Sequence, residues 1–298
     1  MAIMVWSGDD DAVDPAVTGT KFATLARLAR WPIEDRPRLV PGAALSTAAW
    51  HRVVRHLGMD PTLARARDGD GQAAHELVRA FMTGALPAEV HASISEAVER
   101  MGDGGRAALA VRSSAVAEDL EGRTFAGQYL TRLSVTDLDA AVDAYRSCLA
   151  SAWRDGARAY RDSTGSAVGD DPAMAVALQP MVHGGAGWAG AALSDGEGGV
   201  TVEAVRGLGD DLMSGRADPL RWTVSTHELP DGAFVREIVA WVRRAERRQG
   251  HAVEVEFAVR PDESIPVVLQ LRPHRPSVPQ STRSDRLHHP AGTVNGLS

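Results

Sequence analysis

The chain has 298 residues, one cysteine (Cys148) and a formal charge of −7. A lone cysteine excludes a disulfide framework and a cysteine-ligated zinc site, and the acidic balance argues against a nucleic-acid binder that relies on a broad basic face. No run approaches the ~18 apolar residues of a membrane span and no basic segment precedes the apolar start Met1-Ala-Ile-Met-Val-Trp6, so the expected protein is soluble and cytoplasmic, without a membrane partner.

In chain order, Asp9-Asp10-Asp11 and Asp14 read as a solvated loop, because carboxylates without ligand spacing are no metal signal. From Thr18 to Arg30, Phe22, Leu25, Ala26 and Leu28 recur at helical spacing, and Trp31-Pro32 ends the pattern. Lys21 falls in the first turn, just after Gly19. Of the 32 lysines and arginines it is the only lysine. A high-GC genome explains the shortage of lysine but not the survivor. A compact, rotatable ammonium on a flexible stem is what arginine cannot replace, which marks Lys21 as a candidate functional residue. Pro37 and Pro41-Gly42 predict an extended loop, residues 46–57 a second helix, and residues 70–101 two more, broken at Gly84 and Pro87.

Met101-Gly-Asp-Gly-Gly105 predicts a loop feeding an apolar strand, Ala107–Val111. Arg112 directly after it, followed by Ser113 and Ser114, puts a fixed cation and several donors at a strand end, where open α/β sheets bind phosphates. The two serines also suit simple caps of the next segment. Thr136–Tyr160 reads as one long helix capped by Thr136, with Leu138, Val142, Tyr145, Leu149 and Trp153 on a stripe. Strands follow at 174–182, 188–193, 200–205 and 221–226, then a helix over 233–249 stopped by Gly250. The Pro-, Ser-, Arg- and His-rich tail after Pro273 is expected to be disordered.

The segment His251–Arg272 is the most informative. In Ala252–Val259 alternation is strict, with Val253, Val255, Phe257 and Val259 on one face and Glu254 and Glu256 on the other. In Pro266–Arg272, Val268, Gln270 and Arg272 share a face. Paired as a hairpin, the two strands would gather Glu254, Glu256, Gln270 and Arg272. Two carboxylates about 7 Å apart beside a neutral amide suit an oxygen-ligated divalent ion, and the Arg272 fork suits an anion held by it. An edge hairpin with a solvated polar face has the same alternation. The mixture of acid, amide and guanidinium favours the metal site.

These residues resemble a known family, the ATP-binding N-terminal region of phosphoenolpyruvate synthase, pyruvate phosphate dikinase and rifampin phosphotransferase. The resemblance rests on Gly19-Thr-Lys21, Val40-Pro-Gly42 with Thr47, Val111-Arg-Ser-Ser-Ala115 with Glu118-Asp119, and Phe125-Ala-Gly127. Leu178-Gln-Pro-Met-Val182, Gly207-Leu-Gly209 with Ser214-Gly215, Glu254-Val-Glu-Phe257 and Leu269-Gln-Leu-Arg-Pro273 follow in the family's order. It implies an α/β (α+β), ATP-grasp-like two-lobed fold, with lobes over 1–183 and 184–275 and a tail over 276–298. It also implies ATP and Mg²⁺ as cofactors, with Lys21 and Arg112 on the phosphates, Gly127 and Thr131 along the phosphate-covering segment, and Gln179 near the adenine. Glu256 and Gln270 would bind magnesium, Glu254 would assist or bind ribose or metal, and Arg272 would stabilise the transferring phosphoryl group.

The chain departs from the family pattern at three points. Thr20 replaces a glycine before the lysine, Asp210 replaces a glutamate, and Gly187-Trp-Ala-Gly-Ala-Ala-Leu193 replaces a Gly-Val-Leu-Phe-Thr segment. No carrier-histidine motif is present. The expected function is an ATP- and Mg-dependent phosphotransferase, passing a phosphoryl group to a histidine of a separate carrier protein or to a small molecule. The alternatives are a non-catalytic ATP-binding regulatory module and an ATP-grasp ligase acting through an acyl phosphate.

Overall fold

Asp14 and Pro15 open the first helix, α1 (Pro15–Leu28). The Asp14 carboxylate accepts the Ala16 N–H at 2.9 Å, and a proline at the first helical position gives up a donor that has no helical partner anyway. The structure, a computed structural model, describes residues 1–102, 107–116, 130–163, 173–182, 185–209, 212, 216–227 and 230–274. At Gly19 α1 breaks, with φ 72° and ψ 163°, a backbone region essentially reserved for glycine. A Cβ there would also collide with the Ser114 carbonyl. The helix restarts beyond the break, pinned where Phe22 N–H donates to Ser114 Oγ (3.1 Å) and Thr20 Oγ1 to the Val116 carbonyl (3.0 Å). Lys21 stands in that first turn.

The helix is docked on the first of two antiparallel sheets. Strands β1 (Met4–Trp6), β2 (Ala43–Leu45), β3 (Leu109–Ala115), β4 (Thr131–Val135) and β5 (Met174–Pro180) assemble in the order β1-β2-β5-β3-β4. Helices α2 (Thr47–His56), α3 (Asp60–Arg67), α4 (Gly71–Thr83), α5 (Ala88–Met101), α6 (Leu138–Ser151) and α7 (Asp155–Ser163) belong to the same half of the chain. Its core holds Trp50, Leu77, Phe81, Ile94, Tyr145, Leu149 and Trp153 against Leu109, Val111 and Val176. The second sheet contains β6 (Trp188–Ser194), β7 (Val200–Arg206), β8 (Leu220–Val224), β9 (Val253–Val259) and β10 (Val267–Pro273), in the order β10-β9-β6-β7-β8. Helix α8 (Ala233–Gln249) covers it with Val235, Ile238, Val239, Trp241, Val242 and Ala245, and stops at the left-handed Gly250 (φ 74°). Leu25 and Leu28 of α1 pack into this second core, while Phe22 and Ala26 pack with Val5, Ala44 and Ala177. One helix is thus wedged between both lobes. Two antiparallel sheets, each with its own helices, make the mixed α/β architecture expected from the sequence.

Several local expectations need correction. The strand read over Ala107–Val111 runs on to Ala115, so Arg112, Ser113 and Ser114 lie within β3 and not after it. Ser114 Oγ serves the restarted turn of α1, accepting the Phe22 N–H, and the sheet is antiparallel, so the strand-end phosphate rule of open parallel sheets does not apply. The long helix over 136–160 is two helices; Asp137, not Thr136, caps the first by accepting the Ala140 N–H (2.8 Å), and the break is filled by buried Trp153. The three-residue strands β1 and β2 and the helix α3 are additional. Finally, Val268 does not share a face with Gln270 and Arg272. A bulge at Leu269 shifts the register, so Val268 pairs with Phe257 in the core while Gln270 faces Glu256 and Arg272 faces Glu254.

Candidate active site

The two sheets enclose a cavity of about 400 Å³ lined from both lobes. The first lobe contributes Lys21 from the restarted α1, Arg112 from β3, Thr131 from β4 and Gln179 from β5; the second contributes Glu256 from β9 and Gln270 from β10. Sheet register explains the grouping, since Thr131 stands directly opposite Arg112 and Gln270 directly opposite Glu256.

Arg112 joins the lobes. Its Nη2 donates to Glu256 Oε2 at 3.0 Å and its Nη1 to the Leu269 carbonyl at 3.1 Å. The second acceptor is the bulged residue, whose carbonyl the irregular register turns out of the ladder. Both members of the ion pair are largely screened from water, at 15% and 17% side-chain exposure, so each depends on the other for its charge compensation. Arg112 Nε and Gln270 Nε2 are buried with no hydrogen-bond partner. Leaving such a donor unpaired costs about 1–3 kcal/mol, which points to a polar ligand at this end of the cavity. The residues fit a polyanion with a hard cation: guanidinium, amide and ammonium nitrogens face its oxygens, and the Glu256 carboxylate and Gln270 amide oxygen suit Mg²⁺. Among the described residues no group of three or more His, Cys, Asp or Glu could hold a metal. A cation here would share its remaining ligands with phosphate and water, as Mg²⁺ commonly does.

The other end is apolar. Leu133, Met181, Val182, Leu208 and Leu212 line it, with Ala189 and Ala258 as a small-residue floor. Ser134, at φ 58°, donates its N–H to Met181 Sδ (3.0 Å) and holds that side chain at the wall.

Of the residues singled out from sequence, Lys21, Arg112, Thr131, Gln179, Glu256 and Gln270 meet at this cavity. Glu254 and Arg272 form an ion pair with each other one step along the β9–β10 ribbon and do not line it. Gly127, Glu118-Asp119, Phe125, Asp210 and Ser214-Gly215 lie outside the described residues, as does the tail over 276–298. The lining also contains Arg216, a further cation that sequence reasoning passed over although it directly follows the flagged Ser214-Gly215. Leu133 and Leu212 carried no sequence signal at all.

The family model for the pyruvate phosphate dikinase AMP/ATP-binding domain matches residues 16–236. The chain belongs to this family. Among similar proteins, a rifampicin phosphotransferase of a Streptomyces species is 34% identical over 83% of this chain and 28% of its own length. A phosphoenolpyruvate synthase of Aeropyrum pernix is 29% identical over 63% of this chain and 25% of its own. The chain therefore spans under a third of these relatives' length. Among solved structures, an ADP-bound biotin carboxylase domain of a thermophilic 2-oxoglutarate carboxylase matches at a TM-score of 0.26 and 14% identity, over 70% of this chain and 40% of that one. That likeness is too distant to bear on the site. The family match covers Lys21, Arg112, Thr131 and Gln179 and stops before β9 and β10, so Glu256 and Gln270 stand on their geometry and on the motif resemblance.

Proposed function

We propose that the cavity binds ATP with Mg²⁺ and serves transfer of a phosphoryl group from it. What carries the reading is the convergence of Lys21 and Arg112 from one lobe with Glu256 and Gln270 from the other on a single cavity of about 400 Å³, within the size range of small-ligand sites. Membership of an AMP/ATP-binding family supports it, and relatives named for phosphotransfer or for phosphoenolpyruvate synthesis support it further. Phosphoryl transfer asks little covalent chemistry of a protein and much positioning and charge stabilisation. Lys21 and Arg112 neutralise and orient the phosphate chain, the Gln270 amide donates to it, and the apolar end shields the base from water. Glu256 and Gln270 would hold Mg²⁺, whose charge neutralises the phosphates. Arg112 must exchange its Glu256 partner for phosphate oxygens as nucleotide enters. Arg272 would have to leave Glu254 and turn into the cavity to stabilise the group in transit, and Thr131 would lie along the phosphates.

The acceptor is a histidine of a carrier or a small molecule, with the reaction in the cytoplasm where ATP is supplied. The histidine route passes on the β-phosphoryl group and leaves AMP and phosphate, whereas direct transfer leaves ADP. Chromatography of the nucleotide products, with and without lysate from the source cell, tests both. Mg-dependent formation of AMP or ADP is expected. Tight ATP binding with neither product under any condition would overturn phosphotransfer and favour a regulatory binding module.

A further inference from the structure

Arg112, Ser113 and Ser114 divide between the two faces of β3. Ser113 shares a face with Val111 and Ala115, which belong to the first-lobe core, and its Oγ is buried there with no hydrogen-bond partner among the described residues. Arg112 and Ser114, two residues apart, share the other face. From it Arg112 reaches the cavity, while Ser114, fully buried, grips α1. Ser114 Oγ accepts the Phe22 N–H at 3.1 Å, one of the first-turn donors that a helix start leaves without an acceptor. Gly19 rests so closely on the Ser114 carbonyl that no Cβ fits between them. Two residues further along β3, the Val116 carbonyl accepts from Thr20 Oγ1 at 3.0 Å. Thr20 stands where the family pattern has glycine, which has no hydroxyl to give. Ahead of the break, α1 is held elsewhere: Thr18 Oγ1 donates to the Ala12 carbonyl (2.9 Å) and Thr47 Oγ1 to the Ala16 carbonyl (2.8 Å). Residues 19, 20 and 22 are therefore all fastened to β3 or the residue just beyond it, and Lys21 lies within that span.

We propose that Ser114 and Thr20 are positioning residues for Lys21. They lock the restarted turn of α1 to the strand that carries Arg112, so that ammonium and guanidinium keep a set spacing before any ligand arrives. This rests on the nucleotide reading above. A lysine stem is flexible, and its ammonium is only as well placed as the turn from which it springs. Arg112 needs no such lock, because β3 itself holds it.

The test is a double-mutant cycle, read by calorimetric titration of a non-hydrolysable ATP analogue with Mg²⁺ into the whole chain, with urea midpoints as the check on folding. Lys21→Ala should weaken binding about tenfold or more, and Ser114→Ala about fivefold. In the Lys21→Ala background, Ser114→Ala should change affinity by less than about twofold, because no ammonium remains to be misplaced. Combined with Arg112→Ala, its effect should stay at about fivefold. Ser114→Thr keeps the hydroxyl and should restore affinity to within about twofold, and Ser113→Ala should leave it unchanged. Thr20→Val keeps the shape and loses the hydroxyl; it should repeat the pattern at about threefold, and it decides the matter if Ser114→Ala does not fold. The positioning role is overturned if Ser114→Ala and Thr20→Val bind the analogue as the unaltered chain does. It is equally overturned if their losses carry undiminished into Lys21→Ala, as a merely structural hydroxyl would give. Failure of the unaltered chain to bind the analogue sinks the nucleotide reading itself, a result distinct from binding that ignores these substitutions.

Discussion

Lys21 and the Arg112–Glu256 pair concentrate the chemistry at the residue scale. Lysine and arginine differ in hydration, shape and flexibility, so a site built for a compact ammonium has no room for a planar fork. Lys21→Ala is expected to lower ATP-dependent turnover by about 10²-fold or more, the usual cost of losing one preorganised charge, and Lys21→Arg by at least about tenfold. Steady-state kinetics checks both, and full activity in the arginine variant would contradict the assigned role. Glu256 has two duties, as counter-ion to Arg112 and as metal ligand, and these separate experimentally. Glu256→Gln should abolish Mg-dependent turnover, since a neutral amide holds the cation poorly. The same change releases the Arg112 fork, so ATP binding measured in EDTA should be retained or tightened. A parallel loss of metal-free binding would show that the carboxylate acts only through the fold.

Among the elements, the break in α1 matters most, because it sets Lys21 at the cavity edge. Gly19→Ala combines a disfavoured backbone with a collision against the Ser114 carbonyl and should cost about 2 kcal/mol or more in urea unfolding. Glu263, in the turn between β9 and β10, pairs with Arg38 from the loop before β2 and with Arg260 (3.3 Å to the latter). Arg260 Nε in turn donates to the carbonyl of Val182, a cavity residue, at 3.3 Å. Leaving water pushes the Glu263 carboxyl up, but the hydrogen bonds and charges of Arg38 and Arg260 together outweigh that and hold it below its usual range. A carboxyl with a depressed folded pKa stabilises fully above its unfolded value, near 4.3, and loses that contribution as pH falls through the folded value. The urea midpoint should therefore drop less steeply below about pH 4.5 in Glu263→Gln than in the unaltered chain. Identical profiles would mean the triad is only a surface contact. Legibility also varied by element. The second-lobe strands and α8 were readable to within a residue or two because one face of each is buried and the period is clean. The three-residue strands β1 and β2 are too short to show a period. Arg112 was misplaced because Arg-Ser-Ser favours turns locally, and only pairing with β4 and β5 keeps it extended. The Leu269 bulge left no mark in Val-Val-Leu, where every residue suits either face.

On the scale of the whole molecule, the cavity exists because α1 packs into both cores while β5 leads straight into the second sheet. Residues far apart in sequence, Lys21 and Gln270 at the extremes, are brought to one cavity. The identities of the charged lining were legible, since the single lysine, an Arg-Ser-Ser run and an alternating acidic strand each stand out from their surroundings. The apolar end was not, because Leu133, Leu208 and Leu212 look like any core leucine until the lobes face each other. The separation of Glu254 and Arg272 from the cavity was equally invisible, as alternation gives a face but not a boundary along it. The most direct measurement is a crystal structure of the chain with Mg²⁺ and a non-hydrolysable ATP analogue. The triphosphate is expected between Lys21 and Arg112 on one side and Glu256 and Gln270 on the other, with Arg112 moved off Glu256 onto phosphate. A nucleotide bound elsewhere, or one seated in the cavity with the Arg112–Glu256 pair intact and Lys21 turned away, would contradict the assignment.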